Sequence, residues 1–178
     1  MEESQVHWYA IRAFWNKTQP LVREAQQAGW RTYVAVKTME SIENGKLEYK
    51  EEALVPSLFF VRSTEAWVKA FKQLHFHELM VYTTAGGTAP AVIRDQEMET
   101  FILVTSAGNN AADLEVLEPK PQYAQGDLVR VTEGIYKGAT GIVKRIRKDR
   151  KLLVAISGVA VVAVSHIPLV YLEKIETV

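Results

Sequence analysis

The chain has 178 residues, enough for one domain or two small ones, and either arrangement can bury a core. It contains no cysteine, which excludes disulfides, thiol nucleophiles and thiolate metal sites and suits a reducing cytosol. Its 21 Lys and Arg balance 21 Asp and Glu, so phosphate-driven nucleic-acid binding is at most a secondary contact, and the main partner is expected to be protein.

The acidic start, Met1-Glu-Glu-Ser-Gln, leads into no apolar signal-peptide core. The most apolar stretch, Leu152 to Val164, is interrupted by Ser157 and Gly158 and is too short to span a bilayer. A cytoplasmic monomer with no membrane partner is the expectation. Val6 to Ala13 reads as a strand in which Trp8, Ala10 and Arg12 face one way and Tyr9, Ile11 and Ala13 the other. Thr18 is a candidate N-cap, and Leu21, Val22, Ala25 and Ala28 mark a helix that Gly29 closes. Trp30 to Val36 is strand-like, and Asn44-Gly45 suits a type I′ hairpin turn. Ala53 to Val61 is a very apolar strand in which Pro56 must take an edge or a bulge. Along it, Leu58 and Phe60 oppose Phe59 and Val61. Thr64 caps a second helix through about Leu74. Leu79 to Thr83 and Ala91 to Ile93 flank a Gly86-Gly87 turn, and Asp95 caps a third helix to about Thr105.

Composition then shifts. Ala107-Gly-Asn-Asn-Ala-Ala and Glu118-Pro-Lys-Pro121 show no apolar period and read as a linker. Beyond it come short strands, Leu128 to Thr132, Gly141 to Ile146, Leu152 to Ser157, Ala160 to Val164 and Val170 to Ile175, the pattern of a small all-β barrel. In the first of these, Val129 and Val131 alternate with Asp127, Arg130 and Thr132 behind Gly126. Gly134, Gly138 and Gly141 supply left-handed or tightly bent backbone. The organisation expected is α+β: an α/β sandwich over 1–106, a linker over 107–122 and a β barrel over 123–178.

Catalytic and metal constellations are weak. His75 and His77 lack a third ligand at metal-site spacing with a supporting shell, and the stretch His75-Phe-His77-Glu78 reads as the polar end of a helix, so no metal and no cofactor are expected. Ser165-His166 has no Gly-x-Ser-x-Gly elbow. The glycines from Gly134 to Gly141 lack the Lys-Ser/Thr of a phosphate loop and lie between strands. The reading is not an enzyme. The run Lys144 to Lys151, with Lys144, Arg145 and Arg147, is the strongest positive cluster; it reads as a solvated hairpin, with a nucleic-acid contact as the alternative.

Gly126 to Val143 matches the KOW motif of transcription-elongation and ribosomal proteins. With Trp8-Tyr9, Val55-Pro-Ser-Leu-Phe-Phe-Val61 and Pro90-Ala-Val-Ile93 ahead of it, the chain resembles the NusG family over essentially its whole length. The resemblance implies a ferredoxin-like NGN domain followed by an SH3-like KOW barrel. It implies a transcription elongation or antitermination factor that suppresses pausing or termination. Its NGN domain would bind the clamp helices of the largest RNA polymerase subunit at Ala10, Arg12, Val55, Leu58, Phe60 and Phe101. Parity adds Trp8 to that face. Trp15, Asn16 and Lys17, at the tip before the first helix, would reach non-template DNA by stacking and phosphate contact, the alternative being a half-buried loop aromatic. The KOW domain would recruit the ribosome or another factor.

Three departures stand out. Val55-Pro56-Ser57-Leu58 replaces the Phe-Pro-Gly-Tyr of general factors, Ile156-Ser157-Gly158 lacks their aromatic, and Trp67-Val68-Lys69 does not reproduce the His-Thr patch of specialised ones. The first two, the differences from general factors, favour an operon-specific paralogue, and the third means that the specialised contact is not carried over. The competing reading is a stand-alone KOW protein that binds nucleic acid or the ribosome. Physically, the family docking mode requires Trp8, Leu58 and Phe60 to form an open apolar face, larger than a monomer usually leaves bare. The alternative is that Leu58 and Phe60 are ordinary core. The β-branched run Val159 to Val164 favours a stable barrel.

Overall fold

The computed structural model describes residues 5–107, 114–117, 126–146, 149–156, 158–165, 167 and 171–175. Along the chain run β1 (Val6–Ala13), α1 (Thr18–Gln27), β2 (Arg31–Tyr33), β3 (Val36–Glu43), β4 (Lys46–Ala53), β5 (Leu58–Thr64), α2 (Glu65–Leu74), β6 (Leu79–Val81) and α3 (Asp95–Ala107). There follow β7 (Leu114–Leu117), β8 (Leu128–Val131), β9 (Thr140–Ile146), β10 (Asp149–Ile156), β11 (Ala160–Val164) and β12 (Leu172–Lys174). The chain divides into two compact units, Met1–Ala35 with Val55–Met98, and Val36–Leu54 with Glu99–Val178. This division passes through α3 rather than through 107–122, and it places the β3–β4 hairpin in the second unit.

The first unit is built on an antiparallel sheet of order β2-β5-β1-β6. Tyr9 pairs with Val61 and Ile11 with Phe59, so four large side chains share one face. Leu21, Val22 and Ala25 of α1 and Val68 and Phe71 of α2 close over them, with Leu79 and Val81 of β6 at the side. Each fully buried side chain of this kind contributes about 1.5–3 kcal/mol. The Thr64 hydroxyl accepts from the Trp67 N–H at 3.2 Å, capping α2 as its sequence predicts.

Two local expectations are corrected. Thr18 is the first helical residue rather than the cap: Lys17 holds the N-cap position without a side-chain bond, because the Phe14–Lys17 turn delivers the chain to the helix one residue earlier. Pro56 lies in no strand. Residues 54–57 turn, with Ser57 at φ 65, and β5 begins only at Leu58, so the missing proline N–H is not needed by a ladder.

In the second unit, β3 and β4 pair, among the described residues, only with each other, joined through Asn44 (φ 52) and Gly45 (φ 75) in the left-handed conformations of a type I′ turn. The remaining strands form a six-stranded antiparallel sheet of order β12-β8-β9-β10-β11-β7. β7 corrects the linker reading: Leu114 to Leu117 pairs along β11 from Val164 to Val161. Leu114 is buried there, and Glu115 forms an ion pair with Lys151 of β10 at 2.5 Å. The other linker residues, 108–113 and 118–122, lie outside the described residues, as do Arg147 and His166 and the side chain of Arg145.

Candidate functional surfaces

The strands β1 and β5 carry Trp8, Ala10, Arg12, Leu58 and Phe60 of the set expected to meet a partner, while Val55 lies in the turn before β5 and Phe101 on α3. The prediction that Trp8, Leu58 and Phe60 form an open face is overturned. Trp8 and Leu58 are 3% exposed and Phe60 is 1% exposed, and Ala10 and Phe101 are buried as well. Burial of these side chains agrees with the penalty for leaving so large an apolar patch in water. Within the first unit, the Ile93 N–H donates to the Trp8 carbonyl at 2.9 Å, and the Arg31 guanidinium lies 5.4 Å from the Trp8 ring centre. Beside it, Arg62 pairs with Asp95 at 3.5 Å. Only Arg12 of the expected set is exposed, and Val55 is intermediate.

The Trp15 tip is a separate feature. The Lys17 N–H donates to the Phe14 carbonyl at 3.0 Å, closing a four-residue turn whose central residues, Trp15 and Asn16, have φ of 54 and 57. Asn tolerates this region, but a tryptophan there is strained. Trp15 is also 83% exposed, so it is not a half-buried loop aromatic. The tip is tied back to the loop after α2. The Phe14 N–H donates to the Glu78 carbonyl at 2.7 Å, and Lys17 Nζ lies 3.2 Å from Glu78 Oε1.

Behind the tip, His75 ends α2 with one ring nitrogen 2.9 Å from Glu78 and the other 3.0 Å from Glu24 of α1. Burial alone would lower the imidazole pKa, but hydrogen bonds and charge from Glu24 and Glu78 outweigh it and the net shift is upward from 6.5. The Glu78 carboxyl is held below its ordinary 4.5 by its bonds to His75 and then Lys17. The sequence marked His75 and Glu78 only as helix-end punctuation. The third member, Glu24, lies 51 residues from His75, too far for any local spacing to reveal. No group of three or more potential ligands able to hold a metal ion occurs among the described residues.

In the second unit the KOW residues form a structural frame. Val129 and Val131 are buried on β8, and the Gly138 N–H donates to the Val131 carbonyl at 2.8 Å across the loop that Gly134 begins. Gly134 and Gly138 have φ of 84 and 91, the left-handed backbone expected of them. Gly141 serves differently: it sits inside β9, where a β-carbon would fall 2.4 Å from the Leu153 carbonyl oxygen. Asp127, after Gly126, pairs with Lys174 at 2.9 Å. The basic run is not a uniform solvated face, because Lys151 is largely buried against Glu115 while Lys144 is intermediate.

A sequence model of the NusG family, described as transcription termination factor nusG, matches residues 6–102, and a model of the KOW motif matches 125–157. No curated protein sequence matches the chain significantly. Among solved structures, one of NusG from Thermotoga maritima, concerned with domain interaction in that protein, is similar at 19% identity and a TM-score of 0.51. The similarity covers 97% of this chain and 98% of that one, and it supports the same fold: an α/β sandwich followed by a strand-rich KOW unit. No helix among the described residues is long and apolar enough to cross a membrane. With more than half its length matched by one family model and the KOW motif in place behind it, the chain belongs to the NusG family of transcription factors.

Proposed function

We propose that this chain is a non-enzymatic elongation or antitermination factor that binds RNA polymerase through its N-terminal unit and suppresses pausing or termination. The observation that carries the reading is the order of its parts, a NusG region at 6–102 and a KOW motif at 125–157 in one chain. The contact on the clamp helices of the largest subunit is assigned to Trp8, Ala10, Arg12, Val55, Leu58, Phe60 and Phe101. Because the apolar members are covered, docking requires a conformation that uncovers them, and apparent affinity is scaled by the population of that state. Once docked, a preference of about 1.4 kcal/mol for the active over the paused polymerase shifts their ratio tenfold. The Trp15-Asn16-Lys17 tip is suited to the displaced non-template strand, since an exposed indole stacks on any base and Lys17 can meet a phosphate. The KOW unit recruits a second partner, a ribosomal protein or another factor, at raised effective concentration.

The test is binding of the full chain to core polymerase, with a fragment carrying the clamp helices as competitor. Complex formation that the fragment abolishes, and that weakens in Arg12→Glu at unchanged melting temperature, supports the reading. Failure to bind polymerase under any condition that preserves the fold overturns it.

A further inference from the structure

His75 is 16% exposed and has a carboxylate at each ring nitrogen, Glu78 Oε2 at Nδ1 and Glu24 Oε1 at Nε2. An ionised carboxylate can only accept a hydrogen bond, and a neutral imidazole has only one N–H to donate. Two such acceptors on opposite sides of one ring require the imidazolium. The charged groups that face the ring are Glu24 from α1 and Glu78 from the loop after α2, with Lys17 on the other oxygen of Glu78. The Phe71 ring of α2 also packs against it, 4.8 Å away in an edge-on arrangement.

Glu78 links this clasp to the tip twice. Its side chain holds Lys17, and its carbonyl takes the Phe14 N–H that begins the strained Trp15-Asn16 turn. We infer that His75, doubly protonated between Glu24 and Glu78, is the positioning residue of the Trp15-Asn16-Lys17 tip, and that loss of its proton releases Glu78 and resets the tip. The consequence for ligand binding rests on the nucleic-acid contact proposed above. With the proton present, Glu24, Glu78, His75 and Lys17 sum to zero; without it, they leave one negative charge beside the tip. The upward pKa shift at His75 agrees in direction. Where that negative charge costs Lys17 its one phosphate contact on a single strand, affinity falls roughly fivefold at about 0.1 M salt.

The test is a pH titration of the full chain followed by NMR, reading the His75 ring nitrogens, the Phe14 amide and the Trp15 indole. The expected result is a doubly protonated ring with a midpoint above 6.5 and tip resonances that move with that midpoint. In His75→Gln the tip resonances lose the transition. Glu24→Gln keeps the ring, protects against misreading a folding defect, and moves the ring and tip midpoints downward together. A ring that is singly protonated at pH 6, or tip resonances that do not follow the ring, overturns the inference. Oligothymidylate is then added at pH values on either side of the midpoint. Loss of roughly fivefold in affinity as pH rises, absent in His75→Gln, supports the charge effect. If the tip follows the ring but no oligothymidylate binds at any pH, the positioning role stands and the nucleic-acid reading of the tip falls.

Discussion

Gly141 on β9 passes so close to Leu153 on β10 that a β-carbon at the glycine would lie 2.4 Å from the leucine carbonyl oxygen and 3.0 Å from Leu152 Cδ1. The first neighbour is backbone in a paired strand and cannot move aside without breaking the register of Leu153 with Ile142. Gly141→Ala is therefore expected to destabilise the second unit by about 1–3 kcal/mol, the range for overpacking a close-packed site. Urea unfolding followed by probes specific to the second unit checks this. A variant with an unchanged midpoint would show that the two strands separate freely.

The His75 clasp makes part of the first unit's stability pH-dependent. The folded-state pKa of His75 is raised above its ordinary 6.5, so its contribution is complete below that value and is lost as pH rises through the folded midpoint. Glu78 acts in the opposite sense: its folded pKa is below 4.5, so its contribution is present above that value and is lost as pH falls through its folded midpoint. His75→Gln should then cost about 1 kcal/mol at pH 6, with allowance for the part-exposed carboxylates, and less at pH 8. Melting temperatures of the wild type and the variant across pH 5 to 9 (roughly the span in which histidine titrates) give the difference directly. A gap that widens toward alkaline pH would contradict the assignment.

How much of this was legible in the sequence depends on how local each feature is. Strict alternation in β1 and β5 placed Tyr9, Ile11, Phe59 and Val61 on one face, and the structure packs that face under the helices. The same alternation could not decide the fate of Trp8, Leu58 and Phe60, because a strand apolar on both faces reads alike whether a partner or the chain itself supplies the second cover. β7 escaped notice because four residues with Glu115 among them are too few to show a period. The Trp15-Asn16 turn carries no glycine, and although Asn16 suits left-handed backbone, nothing in the sequence marks Trp15 as sharing it.

Phe60 supplies the sharpest test of the covered face. Its side chain is 1% exposed, so Phe60→Asp removes a buried ring and places a carboxylate where water does not reach. The ring alone accounts for about 3–5 kcal/mol in cores of this kind, and the buried charge adds to it. Loss of cooperative unfolding in the first unit is expected. A Phe60→Asp protein that melts like the wild type would mean that the face stands open in solution, the arrangement that direct docking on the clamp helices needs.

Tyr9 should respond in the opposite direction. It is fully buried in the core between the sheet and the two helices, and its hydroxyl has no hydrogen-bond partner among the described residues. Burial, and secondarily the charge of Glu65, pushes the phenol pKa above 10.0, so the group stays neutral through the working pH range. A buried hydroxyl without a partner carries its desolvation penalty uncompensated, about 1–3 kcal/mol. Tyr9→Phe keeps the ring and its packing while removing that penalty. The variant should be more stable by about 1 kcal/mol, read as a higher urea midpoint at an unchanged m-value. A lower midpoint would show instead that the hydroxyl is bonded in solution, to water or to a neighbour that moves to meet it.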